Sequence, residues 1–225
     1  MIQEIITDEE ILGQWSKEIN AIKQNNEMRQ IIVDLKDTIR AHENCIGLAA
    51  IQINQPWRMF VINFSGDLRT FINPVIYDEK GHTLSREGCM SFPGREFIIP
   101  RSNEIRVTYQ TPLGKSESIK LVGKAAEVFQ HELDHLNGIT LTDIGLELPK
   151  DFDKMSEDDK AKIIKDYMES LDLKQKQIKE SIEKDEDAKQ LDNAIKFMTK
   201  VQKGEVEFDG TVSAKRKVED GNKNS

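Results

Sequence analysis

The chain has 225 residues, long enough to bury a proper core as one domain or little more, and a formal net charge of -8. That acidic balance argues against a nucleic-acid clamp, which needs a basic face to neutralise phosphates, so no direct sequence-specific nucleic-acid binding is expected. No apolar run has membrane-spanning length, and the start MIQEIITDEE resembles neither a basic-then-apolar secretory leader nor an Arg-rich presequence; the expected compartment is the cytoplasm, with no membrane partner.

In chain order, residues 1–45 read as helical, because ILGQWSKEINAIKQ (11–24) and MRQIIVDLKDTIRAH (28–42) carry apolar residues at three- and four-residue spacing. From about 57 to 123 the texture is that of strands and turns. RMFVINF and TFINPVIY are rich in β-branched and aromatic residues, and EIRVTYQ and ESIKLVG flank a TPLG turn that makes a hairpin. Residues 124–138 return to helix, with Gly138 as the C-terminal stop. Composition then shifts near residue 150, from about a quarter charged to nearly half. This marks a boundary between a domain over 1–150 and a charged, largely helical extension over 151–225 whose end is expected to be disordered. Within the extension, Ser156 and Asp159 approximate a capping box, and Ile164, Met168 and Leu171 form a narrow apolar stripe.

The chemistry concentrates in QHELDHLNG, residues 130–138. His131 and His135, four apart on a helix, project from one face and can grip one divalent ion, while Glu132 between them can reach a water beside it. HExxH also arises by chance on charged helices, so the third ligand decides. Extended metalloprotease motifs put a His at the position held here by Leu141. Glu147 is too close to serve as a downstream ligand, and Glu157 lies in what reads as an exposed helix start. Upstream, REGCMSFPG offers Cys89, whose thiolate with two imidazoles leaves a fourth position open. A lone Cys is otherwise a buried, idle residue. Cys-His-His coordination by itself suggests zinc.

Three segments together resemble the peptide deformylase family: CIGLAAIQ at 45–52, EGCMS at 87–91 and QHELDH at 130–135. The resemblance covers roughly residues 40–143, with INP at 72–74 and HLNG at 135–138 also similar. It implies an α+β fold with antiparallel sheets wrapped around a central helix carrying HExxH. It also implies metal-dependent hydrolysis of the formyl group from formyl-methionine at the N-terminus of nascent peptides, releasing formate. Carried over by position, Cys89, His131 and His135 hold the metal and Glu132 is the general base and acid. Gln52 and the backbone N–H of Met90 steady the oxyanion, Ile46, Gly47 and Gly88 pair with the substrate backbone, and Ile46 and Val128 wall the methionine pocket. The resemblance points to Fe2+ as cofactor, with Zn2+, Ni2+ or Co2+ able to substitute.

Where the family motif opens on Gly this chain has Cys45, expected to narrow the groove or compete for metal. Glu87 is expected to orient an Arg such as Arg95, or to be solvated. The lysines of 156–200 suggest ribosome docking, against the alternative of a solvated helix. Two rival readings are a zinc endopeptidase and a non-catalytic relative that binds a partner.

Overall fold

The structure, a computed structural model, describes residues 1–20 and 25–184. Two long strands carry the fold: β3 (Asp67–Gly88) and β4 (Glu96–Gln110), paired antiparallel from Ile72–Gln110 to Gly88–Glu96. Around them lie β1 (Gly47–Ala49), β2 (Met59–Phe64), β5 (Ser116–Val122) and β6 (Leu146–Glu147). The result is one antiparallel sheet in the order β1-β2-β3-β4-β5, with β6 on the other half of β4, where Phe97 and Ile98 pair with Glu147 and Leu146. The β3–β4 register shifts between Ile72 and Val75 and again between Ile76 and Asp78. Pro74 has no N–H to give the ladder and Asn73 takes a positive φ of 47° there, as expected of a bulged stretch.

The hairpins follow their turn chemistry. Ser65 and Gly66, both at positive φ, join β2 to β3 in a two-residue loop. The expected TPLG hairpin joins β4 to β5: Gly114 N–H donates to Thr111 O at 2.8 Å, with Pro112 second and Gly114 fourth in the turn.

Helix α1 (Glu9–Leu12) is a single turn capped by Asp8, and α2 (Asn25–Ala41) is the expected second helix. Of the helix predicted over 11–24, only Ile11 and Leu12, at the end of α1, are helical among the described residues. Beyond Gly13 the backbone is extended and finds tertiary partners: Ser16 N–H donates to Leu136 O, Lys17 pairs with Trp57, and the Asn73 side chain clamps Ile19 at both N–H and C=O. Ile19 still buries its side chain, so the apolar spacing is satisfied by packing rather than by a helix. Residues 21–24 lie outside the described residues.

Strand β2 is apolar on both faces because helices cover both. Met59 and Val61 join the cluster built on Met28, Ile31, Leu35 and Ile39 of α2. Phe60 and Ile62 point the other way, toward α3 (Lys124–Leu136). There Phe129 meets Phe60 and Phe71 edge-on at 5.0 and 5.2 Å. The end of α3 is a Schellman motif: Ile139 N–H reaches Asp134 O and Gly138 N–H reaches His135 O, with Gly138 at φ 66° as predicted. A Cβ on Gly138 would also collide with the Gly13 carbonyl.

After α3 come α4 (Leu141–Ile144), β6, a 3₁₀ turn (Phe152–Lys154) and α5 (Glu157–Lys184). Ser156 and Asp159 cap α5 reciprocally, the Asp159 N–H on Ser156 Oγ and that hydroxyl on the Asp159 carboxylate. Ile164 and Tyr167 pack with Ile98, Leu148 and Phe152, and Tyr167 Oη donates to Ile144 O at 2.7 Å. Of the predicted stripe only Ile164 joins that cluster; Tyr167, a turn later, supplies the rest. The expected disordered end lies outside the described residues. No described helix is long and apolar enough to cross a membrane.

Candidate metal centre

Helix α3 presents His131, Glu132 and His135 toward the end of β3, where the chain turns sharply. Phe92 N–H bonds back to Cys89 O at 3.0 Å, so Cys89 follows the last β3 residue directly and its thiol faces the helix. Cys89 Sγ lies 3.3 Å from His135 Nε2, and one ligand atom from each of Cys89, His131 and His135 falls within 4.8 Å of the others. Burial disfavours the Cys89 thiolate, but His135 and His131 outweigh it and hold the thiol well below its usual range. Glu157, the rival ligand, is exposed and pairs with Lys160, and Glu147 pairs with Arg95.

The second nitrogen of His131 is fixed from behind. Its Nδ1 meets Glu87 Oε2 at 2.9 Å, and Glu87 is in turn gripped by both arms of Arg101 at 2.8 and 2.9 Å. Arg101 Nη1 also donates to Asp134 Oδ2 at 2.5 Å. Glu87 does pair with an arginine and is not solvated, but the partner is Arg101 and not Arg95, which pairs outside with Glu147. Burial would push Glu87 up, yet Arg101 and then His131 hold it well below the ordinary carboxylate range. Orienting a ligand imidazole through a carboxylate on its far nitrogen is a common support for metal binding.

Glu132 is buried, and its Oε2 has no hydrogen-bond partner among the described residues. Burial pushes this carboxyl up to about 7. Opposite it, Gln52 sits in a 3₁₀ turn (Ala50–Ile53); its Oε1 accepts Ala49 N–H at 2.8 Å, which aims Nε2 at Ser91 Oγ (3.2 Å) and Cys89 Sγ (3.4 Å). Gln52, Cys89, His131 and Glu132 open onto a cavity of about 570 Å³ lined also by Ile46, Gly47, Gly88, Met90 and Val128; of the site residues named by the family resemblance, only His135 stands behind the lining. Cys45 lines it too, but its thiol is buried, pushed up to about 12 by that burial, and donates to Gly47 O at 3.1 Å. It lies outside the metal-ligand group, so the expected competition for metal finds no support.

A model of the family described as polypeptide deformylase matches residues 2–148. The chain belongs to the polypeptide deformylase family. A peptide deformylase from Pelagibacter ubique is 37% identical to it over 156 residues, 66% of this chain and 89% of that protein. One from Dictyoglomus turgidum is 35% identical over 125 residues, 56% of this chain and 81% of that protein. The crystal structure of peptide deformylase from Thermotoga maritima matches with a TM-score of 0.60 at 33% identity, over 64% of this chain and 97% of that one. A Met-Ala-Ser-bound structure of a class I type b peptide deformylase from Acinetobacter baumannii matches with a TM-score of 0.59 at 25% identity, over 64% and 98%. The activity is that of a peptide deformylase, a metal-dependent hydrolase.

The donor set of this deformylase fits a resident ion. One thiol and two imidazoles within bonding reach of a common point suit a d-block dication at about 2.0–2.3 Å and leave room for a further ligand. A buried, unpartnered carboxylate oxygen beside them is otherwise costly. Sequence reasoning missed Arg101 and Asp134, which hold the deformylase site from behind. The one available signal was Asp134, sitting inside QHELDH; Arg101 carried none until the strand register was known.

Proposed function

We propose that the chain removes the formyl group from the N-terminal formyl-methionine of newly made polypeptides, with Fe2+ as its physiological ion and Zn2+, Ni2+ or Co2+ able to replace it. The observation that carries this reading is the meeting of Cys89, His131 and His135 beside buried Glu132 in an open groove. The Met-Ala-Ser bound to the Acinetobacter baumannii neighbour, the deformylated form of such a peptide end, supports the substrate class. When bound, the ion acts as a Lewis acid toward the formyl carbonyl and lowers the pKa of a water from about 15.7 toward about 7.

The chain's own residues do the rest. Glu132 takes the proton of the attacking water and returns it to the leaving amine. The Gln52 amide and the Met90 backbone N–H donate to the oxygen that gains charge, an amide being a donor that does not titrate. Ile46, Gly47 and Gly88 offer backbone groups to an extended peptide, as a sheet edge does to an added strand. Ile46, half exposed, and Val128 wall the methionine side chain. A site fitted to so small an acyl group is expected to exclude acetylated ends. We assign the compartment as the cytoplasm, whose reducing conditions protect an Fe–thiolate site.

The test is formate release from formyl-Met-Ala-Ser by protein loaded with iron under anaerobic conditions. Chelation is expected to cut the rate at least about 100-fold, with recovery on adding Fe2+, Zn2+, Ni2+ or Co2+. A loaded protein that yields no formate ends the reading. Cleavage of internal peptide bonds, unaffected by Cys89→Ala, would favour the endopeptidase instead. Ribosome docking through residues 156–200, set against a plain solvated helix, is tested by deleting 151–225. Lower co-sedimentation with ribosomes supports docking, and unchanged co-sedimentation ends that assignment and leaves the solvated helix.

A further inference from the structure

Gly47 opens β1, and its φ is not in the positive region, so the backbone itself would accept any residue there. The space would not. A Cβ built on Gly47 would lie 2.8 Å from Cδ and 2.9 Å from Cγ of Glu132 and would overlap Oε1. The Glu132 carboxylate therefore occupies the volume that every other residue type at 47 fills with its own side chain. The strand side is held in place, so it is the Glu132 carboxylate that would have to turn away. Gly47 pairs with Ile62, the flanking Ile46 C=O accepts Asn63 N–H at 2.7 Å, and the Gly47 C=O accepts the Cys45 thiol. Glu132 is buried on a helix whose neighbouring residues are the two imidazole ligands.

We propose that Gly47 is the positioning residue of Glu132: the missing side chain, more than any freedom of the backbone, sets where the proton-carrying carboxylate rests. This rests on the reading of Glu132 as the group that moves the proton. A displacement of about 1 Å at a reacting centre can cost about 10² in rate, so the effect belongs in kcat and not in substrate binding.

The experiment compares Gly47→Ala, Glu132→Asp, their combination and Glu132→Ala, each metal-loaded, for kcat, KM, metal content, melting and affinity for Met-Ala-Ser. Gly47→Ala is expected to lose at least about 50-fold in kcat, with KM, metal content and Met-Ala-Ser affinity within about threefold of the parent. Glu132→Asp relieves the overlap but leaves the carboxylate a methylene short, so it is slow by itself; in that background Gly47→Ala is expected to cost less than about fivefold further in kcat. Gly47→Ala with near-parent kcat, a loss confined to KM and peptide affinity, or the same fold-loss from Gly47→Ala in the Glu132→Asp background would each overturn the positioning role. Glu132→Ala with near-parent kcat would instead overturn the role of Glu132 itself. Should Gly47→Ala fail to fold, Gly47→Ala/Glu132→Ala is expected to fold, since the obstructing carboxylate is gone; its failure too would overturn the proposal.

Discussion

Replacing Glu132 by Gln is expected to lower kcat for formyl-Met-Ala-Ser by about 10³-fold, within the range of about 10² to 10⁴ typical of a positioned general acid–base. The amide has the shape of the carboxylate and so fits the same slot against Gly47, but it can neither accept the water proton nor pass it to the amine. None of the metal-holding atoms is touched, so metal content is expected to match the parent. Stability should be equal or higher, because the change replaces a buried ionisable carboxylate, one of whose oxygens has no partner among the described residues, by a neutral amide. A Gln variant keeping more than a tenth of the parent kcat would mean that another group carries the proton. Loss of metal alongside loss of rate would show instead that the change had disturbed the ligands, and a metal-matched comparison separates the two.

The two imidazoles were legible because two residues four apart on a helix share a face whatever surrounds them; the thiol, 46 residues before His135, came from the EGCMS motif and not from local geometry. The strands, the TPLG hairpin and the Gly138 stop were legible for the same reason as the imidazoles, since turn chemistry acts over four residues. What failed depended on pairing between distant segments. Glu87 lies opposite Phe97 and Arg101 lies opposite Thr83, so both project on the face shared by Ser85 and Ile99 between them, whereas Arg95 falls beyond the last pair, Gly88–Glu96. A shift of one residue in that register reverses the outcome, and no single sequence states it.

The segment after Gly13 fails differently. Its spacing is helical, but its hydrogen bonds go to Leu136, Pro56 and Asn73, partners more than fifty residues away in two cases. Cys45 and Gly47 were both read as features of the groove wall. One turns its thiol onto a backbone carbonyl, and the other makes room for a side chain from α3. The first is a contact two residues along the chain, while the second is not visible until β1 and α3 are in contact.

Arg101→Met is expected to destabilise the protein by about 3–5 kcal/mol, on the order of 10 °C in Tm, and to speed metal loss. Arg101 is 5% exposed and is the cation for two carboxylates, Glu87 and Asp134. An apolar chain of similar length refills the volume but leaves Glu87 with only His131 and strands Asp134 in the same pocket. The cost is that of uncompensated buried charge, more than of lost packing. The functional consequence runs through His131, whose Nδ1 is held by the carboxylate that Arg101 orients; loosening such a support typically costs about 10–100-fold in metal affinity. Adding Glu87→Gln should restore more than half of the lost stability, because one of the two stranded charges is then gone, while metal affinity stays weakened. That divergence is the diagnostic outcome. If Arg101→Met unfolds within about 1 kcal/mol of the parent, or if the double variant recovers metal affinity together with stability, the buried cation is not what braces the imidazole.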